Sequence, residues 1–335
     1  MNVRLTESPG APTLAVGVDI GGSKVLAVAV DETGAVRATH RLPSNGGAAG
    51  VVESAVDAVG RLAQHTGVPV SAFSVVGVGV PGLVRPDSGE VTNAVNLGVG
   101  AGTLSLRARL AERLGVPVVV ENDVNAAALG AAQVLGLGDT DLAFLSIGTG
   151  LAAGLVTEGR LRRGARGAAG EIGHIPVDPG GQLCPCGQRG CLETLASGSA
   201  IAVAWPVADG LSPATALFAA AAGGDASAVQ VRDAFADAVA AAVRLLVLTC
   251  DVQTVVLGGG VTDLGSALLD AVVAALQRQA TASPFLAALE LPDRVAIVPA
   301  GSAVAAIGAA LAGIAARDAA DPAGWVDDAA AYGLT

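Results

Sequence analysis

The sequence LAVGVDIGGSKVLAVAV, residues 14–30, predicts two short apolar strands joined by a glycine turn. A second copy of this pattern, LAFLSIGTGLAAGLV, occupies residues 142–156. In both copies, β-branched residues flank glycines that permit positive φ and close approach of the backbone. Two similar halves that face each other would form a cleft, so the repeat predicts a two-domain architecture.

The rest of the chain alternates strands with helices. Further strands are predicted at 73–80, 116–120 and 254–257, and helices at 50–66, 103–114 and, with breaks, 199–248. This alternation predicts mostly parallel α/β sheets. Segment 295–316 is apolar and uncharged, but Pro299 and Gly301 interrupt it. It therefore predicts a strand, a turn and a buried helix rather than a membrane span.

One histidine and three cysteines lie within eighteen positions near the middle of the chain. The spacing of His174, Cys184, Cys186 and Cys191 indicates a Cys3His zinc site. Four protein ligands leave no position for a water, so the metal is expected to stabilise the fold rather than activate a nucleophile. The alternative is a disulfide, but Cys184 and Cys186 are too close in sequence to pair easily and nothing marks the chain as secreted.

The composition favours an intracellular enzyme and argues against a nucleic-acid-binding protein. The 335 residues are enough for about two domains, and 52% of them are hydrophobic but only 2% aromatic. The net charge of -11 is the opposite of what binding to phosphate backbones requires. The first thirteen residues contain no apolar segment of the kind found in signal peptides, so we expect none.

The first glycine turn contains the groups of a phosphate-binding loop. Gly21 and Gly22 expose backbone amides, Ser23 adds a hydroxyl and Lys24 a cation, and the Asp19 carboxylate suits Mg2+ through water. A plain hairpin turn explains the glycines equally well. The lysine favours the phosphate interpretation, because it is the only lysine beside eighteen arginines.

Carboxylates mark two further candidate positions. Glu121, Asn122 and Asp123 follow a predicted strand and open a helix, where Asn and Asp are also common caps. The carboxyl end of a strand is where α/β sheets bind ligands, so Asp123 is a candidate general base toward a hydroxyl. Glu171 and Glu193 flank the cysteines. Most glutamates are solvated surface charges, but on a rigid metal loop these two would accept hydrogen bonds from a ligand rich in hydroxyls, such as a sugar.

Together these motifs resemble the ROK family, which comprises bacterial sugar kinases and sugar-responsive repressors of the hexokinase, actin and Hsp70 superfold. The resemblance extends from Leu14 to about Ala316. Its most specific parts are EIGH at 171–174, CPCGQRGCLE at 184–193, DIGGSK at 19–24 and ENDVNAA at 121–127. It implies an α/β fold with two ribonuclease H-like (actin-like ATPase) domains around a cleft. The predicted domains are 1–120 plus about 301–320, and 121–300 with a zinc-binding loop at 171–193, followed by a tail at 321–335.

The resemblance also implies a role for each matching residue. Asp123 matches the family's catalytic base, which takes the proton from a sugar hydroxyl as that oxygen attacks the γ-phosphate of ATP. Positions that bind sugar hydroxyls are matched by Asn96, Asn122, Asp123, Glu171, His174 and Glu193. The two phosphate-binding turns are matched by Asp19, Gly21, Gly22, Ser23 and Lys24 and by Gly148, Thr149 and Gly150, and the adenosine-side loop by Gly258, Gly259 and Gly260. Phosphoryl transfer depends on this kind of positioning and charge neutralisation.

The implied cofactors are ATP, Mg2+ and a structural Zn2+ held by His174, Cys184, Cys186 and Cys191. The implied partner is a small sugar; neither nucleic acid nor a membrane is expected, and the resemblance implies a cytoplasmic homodimer. Two departures from the family stand out. Ala152 and Ala153 replace glycines common at the second phosphate turn, where their methyl groups are expected to crowd a phosphate. The tryptophan common after Asn96 in family glucokinases is missing, which leaves the identity of the sugar open.

Three functions are therefore weighed. The leading one is an ATP-dependent hexose kinase, most simply a glucokinase that forms glucose 6-phosphate, with an N-acetylhexosamine (mannosamine or glucosamine type) kinase as the close alternative. A sugar-responsive repressor is disfavoured, because only thirteen residues precede the first strand and a winged helix-turn-helix is not expected there. A catalytically silent sugar-binding protein would be consistent with Ala152 and Ala153, but not with the presence of Asp123 and Lys24.

Overall fold

The structure is a computed structural model that describes residues 13–94, 97–99, 102–208 and 210–320. These residues form two compact units. The first contains the residues up to Asp123 together with those from Ala306 onward, and the second runs from Val124 to Ala305. Asn96 and the predicted tail at 321–335 lie outside the described residues.

The first unit is built on a five-stranded sheet. The strands of this unit are β1 (Ala15–Ile20), β2 (Lys24–Val30), β3 (Val36–Pro43), β4 (Val76–Val80), β5 (Leu83–Val84), β6 (Val91–Thr92) and β7 (Val118–Asn122). Of these, β5 and β6 pair with each other in a separate two-stranded ribbon. The order in the sheet is β3-β2-β1-β4-β7. Helices α1 (Gly47–Thr66) and α2 (Leu106–Leu114) belong to this unit, and α3 (Asp123–Leu135) begins at its boundary.

The second unit repeats this plan. Its strands are β8 (Leu142–Ile147), β9 (Leu151–Thr157), β10 (Arg160–Leu161), β11 (Thr254–Gly258) and β12 (Val295–Ile297), and their order is β10-β9-β8-β11-β12. Its other helices are α4 (Gly198–Ala204), α5 (Pro213–Ala222), α6 (Ala226–Cys250), α7 (Ser266–Thr281) and α8 (Pro284–Ala287). The final helix, α9 (Val304–Ala320), lies mostly in the first unit. Both predicted hairpins are present, as β1–β2 and β8–β9.

The prediction of mostly parallel sheets is wrong. In the first sheet β1 pairs with β4 and β4 with β7 in parallel, but β1–β2 and β2–β3 are antiparallel. The second sheet has the same two parallel and two antiparallel pairs. The physical reason is connection length, because strands joined by a short turn must run antiparallel, whereas parallel neighbours need a crossover.

Helix α9 packs its backbone directly on the first sheet. A Cβ atom on Gly17 would collide with the Ala306 carbonyl oxygen and lie 2.7 Å from the Ala310 amide nitrogen, closer than real Cβ contacts allow. A Cβ atom on Gly77 would collide with the Ala309 carbonyl oxygen. Glycines on the two central strands therefore let the alanines of α9 approach the sheet. The prediction of a strand, turn and buried helix for 295–316 is confirmed, and no helix in the described part of the chain is long and apolar enough to cross a membrane.

Candidate functional site

The first glycine turn presents unpartnered backbone amides. The Gly21 amide donates to the Lys24 carbonyl over 2.9 Å, which closes the hairpin, and the Ser23 carbonyl accepts from the Ser44 amide over 3.1 Å. Among the described residues, none accepts a hydrogen bond from the amides of Gly22 or Ser23. Successive free amides in a turn attract anions, so this turn has the chemistry of a phosphate-binding loop.

Asp19, at the end of β1, lies in the electrostatic field of two other predicted site residues. Its burial and the nearby Asp123 carboxylate raise the pKa of Asp19 to about 7, and Lys24 opposes this increase. The structure therefore brings Asp19, Lys24 and Asp123 together within the first unit. A carboxyl group that shares its surroundings with another carboxylate is a natural position for a divalent cation, because the cation compensates both charges.

The end of β7 differs from the prediction. The strand was expected to stop at Val120, but Glu121 and Asn122 belong to it and Asp123 is the first residue of α3. The Asn122 side-chain amide donates to the Gly82 carbonyl over 3.0 Å, and its backbone amide donates to the Glu121 carboxylate over 3.0 Å. The bond to Gly82 fixes the Asn122 side chain at the end of β7.

The second glycine turn, residues 148–150, is closed in the same manner as the first. The Gly148 amide donates to the Gly150 carbonyl over 3.0 Å, and the Gly148 carbonyl accepts from the Gly198 amide over 2.8 Å. In the described part of the chain, nothing accepts from the amides of Thr149 and Gly150. Ala152 and Ala153 lie beyond this turn, inside β9. The second alanine is buried, so its methyl group belongs to the packing of the sheet.

The loop formed by residues 258–260 adjoins the second glycine turn. Gly258 pairs with Ser146 of β8, and Gly259 has a φ of 87° and lies against the backbone of Ile147. A cavity of about 470 Å³ opens beside this loop within the second unit. Its lining includes Gly148, Thr149, Gly198, Ser199, Pro213 and Gly260.

Two of these lining segments were missed by the sequence analysis. They are the first residues of α4 and α5, whose caps are Ser197 and Ser212. The Ser197 hydroxyl accepts from the Ala200 amide and the Ser212 hydroxyl accepts from the Thr215 amide. A serine cap, followed in the second case by proline, is a helix start that the sequence does reveal. What it does not reveal is that both helix starts lie beside the glycine turn.

The cysteines and the predicted histidine do converge. One ligand atom from each of His174, Cys184, Cys186 and Cys191 can be chosen so that all four lie within 4.8 Å of one another. The Cys186 and Cys191 sulfurs are 3.6 Å apart, and Cys184 Sγ is 3.8 Å from His174 Nδ1. A tetrahedral ion with Zn–S bonds of about 2.3 Å places its sulfurs about 3.8 Å apart, so the donor set fits zinc. We refer to these four residues as the cysteine–histidine cluster.

Burial and hydrogen bonds shift the pKa values of the thiols in this cluster in opposite directions. Burial raises the pKa of Cys184 and of Cys191. Hydrogen bonds from the backbone and side chain of Gln188 lower the pKa of Cys186, which is exposed. Metal ligation requires thiolates, so binding of an ion at the cluster would release protons from the buried thiols.

The two predicted glutamates lie at the cysteine–histidine cluster. Glu193 Oε1 is 3.8 Å from His174 Nδ1, and Oε2 accepts from the Leu151 amide over 3.2 Å. Burial raises the pKa of Glu171, with an opposing effect of His174 and a smaller supporting effect of Glu193. Glu171, His174 and Glu193 are thus near one another, and together they offer acceptors to a hydroxyl-rich ligand.

Comparisons with known proteins identify what the chain is similar to. The sequence model of the ROK family matches residues 15–312. A glucokinase from Halalkalibacterium halodurans is 33% identical over 273 residues, which cover 76% of this chain and 82% of that protein. An N-acetylmannosamine kinase from Yersinia pseudotuberculosis is 33% identical over 263 residues, which cover 78% and 87% of the two chains.

A solved structure extends this likeness to the fold. It is a ROK family glucokinase from Streptomyces griseus in complex with glucose and AMPPNP. The TM-score is 0.73 and the sequence identity 33%, and the match covers 90% of this chain and 99% of that one.

Proposed function

Because this chain belongs to the ROK family and is a sugar kinase of the actin-like ATPase fold, we propose that it transfers the γ-phosphate of ATP to glucose. The product would be glucose 6-phosphate. The relative from Halalkalibacterium halodurans is a glucokinase, and the glucokinase from Streptomyces griseus was solved in complex with glucose and AMPPNP.

One observation carries the catalytic part of the proposal. Asp19, Lys24 and Asp123 interact electrostatically at the ends of adjoining elements, beside a turn whose Gly22 and Ser23 amides are free to bind an anion. In our proposal Asp123 accepts the proton of the sugar hydroxyl as the oxygen attacks the γ-phosphorus, the bond from this phosphorus to the bridging oxygen of the β-phosphate breaks, and ADP leaves. Lys24 and the amides neutralise phosphate charge, which is the main requirement of phosphoryl transfer. Asp19 would hold Mg2+ through water, and this ion would supply further neutralisation.

Residues of the second unit would bind the nucleotide and the sugar. The free amides of Thr149 and Gly150 suit a phosphate, and the cavity beside Gly260 has a volume suited to a nucleoside. Binding of sugar hydroxyls is the role that we propose for Asn122, Glu171, His174 and Glu193. The same role is proposed for Asn96.

We also propose that the cysteine–histidine cluster holds a structural Zn2+. A set of three thiols and one imidazole is closed to substrate, so the ion would stabilise the loop that carries Glu171 and Glu193. The homodimer and the cytoplasmic location stay predictions of the family resemblance. Light scattering of the purified chain tests the first of them.

The test of the proposed reaction is the release of ADP by the purified protein with Mg-ATP and a panel of glucose, mannose, fructose, N-acetylglucosamine and N-acetylmannosamine. We expect turnover with glucose. Asp123→Asn should lower kcat by about three orders of magnitude or more while sugar binding by calorimetry persists, because the amide keeps the shape but cannot accept the proton. Retained turnover in this variant would refute the assignment of Asp123 as base.

N-acetylmannosamine is the second candidate substrate. It is favoured by the relative from Yersinia pseudotuberculosis, whose identity to this chain equals that of the glucokinase from Halalkalibacterium halodurans. The same panel decides between them, because an acetamido group at C2 fills space that a hydroxyl leaves open. Turnover confined to N-acetylmannosamine would replace glucose in the proposal and leave the reaction class intact.

A further inference from the structure

Glu193 lies between the cysteine–histidine cluster and the second glycine turn, and it contacts both. We infer that Glu193 is a positioning residue that couples the cluster to the turn and thereby sets the affinity for the nucleotide. The inference deepens the proposed function and rests on it, since it assumes that the turn binds a phosphate of ATP. It adds a role at the nucleotide to the role toward sugar hydroxyls.

The two carboxylate oxygens of Glu193 have different partners. Oε1 accepts from the Cys184 thiol over 3.3 Å and lies 3.8 Å from His174 Nδ1. Oε2 accepts from the amide of Leu151, the residue directly after the turn, over 3.2 Å. The side chain is only 18% exposed, so water competes weakly for these contacts. One carboxylate therefore bridges Leu151 to Cys184 and His174, which lie 33 and 23 positions further along the sequence.

The close approach of this carboxylate depends on a glycine. A Cβ atom on Gly150 would collide with Glu193 Oε2, and within the described part of the chain the only atoms that it would meet within 4 Å belong to Glu193. Gly150 does not have a positive φ, so its backbone conformation is open to other residues. An alanine at this position would therefore displace the flexible end of Glu193.

Glu193 itself is held firmly. It lies in the short 3-10 turn Leu192–Thr194 that follows the buried Cys191, and the Leu192 amide donates to the Ile175 carbonyl over 3.0 Å. Gly173 packs against the same region, since a Cβ atom there would lie 3.2 Å from Glu193 Cβ. A metal bound at the cluster would restrain Cys191, which directly precedes the turn Leu192–Thr194, and Glu193 in this turn would transmit that restraint to the Leu151 amide.

This contact matters for the nucleotide because few bonds orient the turn. The Leu151 amide is bound by Glu193 at one side, and the Gly148 carbonyl is bound by the Gly198 amide at the other. The amides of Thr149 and Gly150 lie between these two anchors. Removal of one anchor should leave the amides less well oriented before the phosphate binds, and the ordering then costs affinity.

A double-mutant cycle tests the coupling directly. The measurement is the Kd of Mg-AMPPNP by calorimetry on the full chain, with no sugar present. We expect Glu193→Ala to weaken binding by about fivefold or more, because a hydrogen bond to a charged group is lost. Gly150→Ala should weaken it similarly by displacing the carboxylate. In the double variant the new methyl group has room, so Gly150→Ala should then add less than about twofold.

The outcomes separate the inference from simpler explanations. Equal effects of Gly150→Ala in both backgrounds would mean that the methyl group acts on the nucleotide alone, and would overturn the coupling. Glu193→Gln keeps an acceptor for the Leu151 amide, so it should retain most of the nucleotide affinity while sugar affinity falls. If Glu193→Gln weakens Mg-AMPPNP as much as Glu193→Ala does, the hydrogen bond is not the cause.

Glu171→Ala is the matched control, because among the described residues no amide of the turn donates to the Glu171 side chain. It should lower sugar affinity but leave the Kd of Mg-AMPPNP within about twofold of the parent. An equal loss of nucleotide affinity in this control would indicate general damage to the loop and would overturn the inference.

Zinc content is measured for each variant. Glu193→Ala should keep the zinc content of the parent protein, and a loss of zinc would assign the effect to the cluster and contradict a direct role of Glu193. The proposed function fails separately, if the parent protein binds Mg-AMPPNP but phosphorylates no sugar. Unchanged nucleotide affinity in Glu193→Ala, with kinase activity of the parent intact, would refute this inference alone.

Discussion

Replacement of Asp19 by Asn should stabilise the protein at neutral and alkaline pH while it removes activity. Burial and the neighbouring Asp123 carboxylate raise the pKa of Asp19 to about 7, so the folded protein carries this negative charge at a cost. Asn has the same shape and no charge. Carboxylates that serve a cation are often held in such unfavourable surroundings, and their neutralisation then increases stability at the expense of function.

The direction and size follow from the two protonation states. The folded protein keeps the Asp19 proton up to about pH 7, whereas the unfolded chain loses it near the ordinary pKa of 3.8. Between these values the folded state binds more protons, so the free energy of unfolding falls as pH rises, and above pH 7 the loss is complete. The full difference corresponds to at most about 4 kcal/mol at about 1.4 kcal/mol per pKa unit. Asp19 is half-buried, so solvent screens part of its charge. We therefore expect the loss in the free energy of unfolding to be about 2 kcal/mol.

The assay is urea-induced unfolding followed by circular dichroism from pH 4 to pH 8.5, without Mg2+. Asp19→Asn should match the parent protein near pH 4 and exceed its free energy of unfolding by about 2 kcal/mol at pH 8. Asp57→Asn, which removes an exposed carboxylate of α1, is the control and should not reproduce the gain in the free energy of unfolding at pH 8. The reasoning is refuted if the curves of Asp19→Asn and the parent protein remain parallel over the whole range.

Two further predictions concern the cluster and the packing of the last helix. Cys186→Ser should lower the zinc content from about one ion per chain and reduce the midpoint of thermal unfolding. Cys250→Ser, which lies outside the cluster, should change neither. Equal zinc contents of the two variants by mass spectrometry would show that the ligand set is wrong. Gly17→Ala should destabilise the protein by about 3 kcal/mol or more in urea unfolding, because the new methyl group would collide with the Ala306 carbonyl oxygen and α9 must move to restore ordinary contact. Gly60→Ala, whose Cβ atom would meet nothing within 4 Å in the middle of α1, should instead stabilise the protein by about 0.5–1 kcal/mol. A stabilising effect of Gly17→Ala would contradict the close packing of α9 on the first sheet.

Much of the architecture could be predicted from local patterns. The two glycine hairpins, the helix from about residue 50 to Thr66, and the strand–turn–helix at 295–316 depend on periodicity and on glycine or proline at the turns, which act over a few residues. The proportion of parallel strands was mispredicted. That proportion depends on which strands become neighbours, and the alternation of strands and helices alone does not contain this information.

Sequence by itself also determined the chemistry of the candidate site. The identities and spacing of His174 and the three cysteines indicate a metal site, and the turns beginning at Asp19 and Gly148 indicate phosphate loops, because each depends on residue type within a short segment.

Tertiary structure alone decided how these segments act on one another. It places Asp123 near enough to Asp19 to raise the pKa of that carboxyl, sets the start of α5 beside the second glycine turn, and brings Glu193 to the Leu151 amide. These relations join residues far apart in the sequence, and they depend on distances of a few ångströms that emerge only when whole sheets and helices pack.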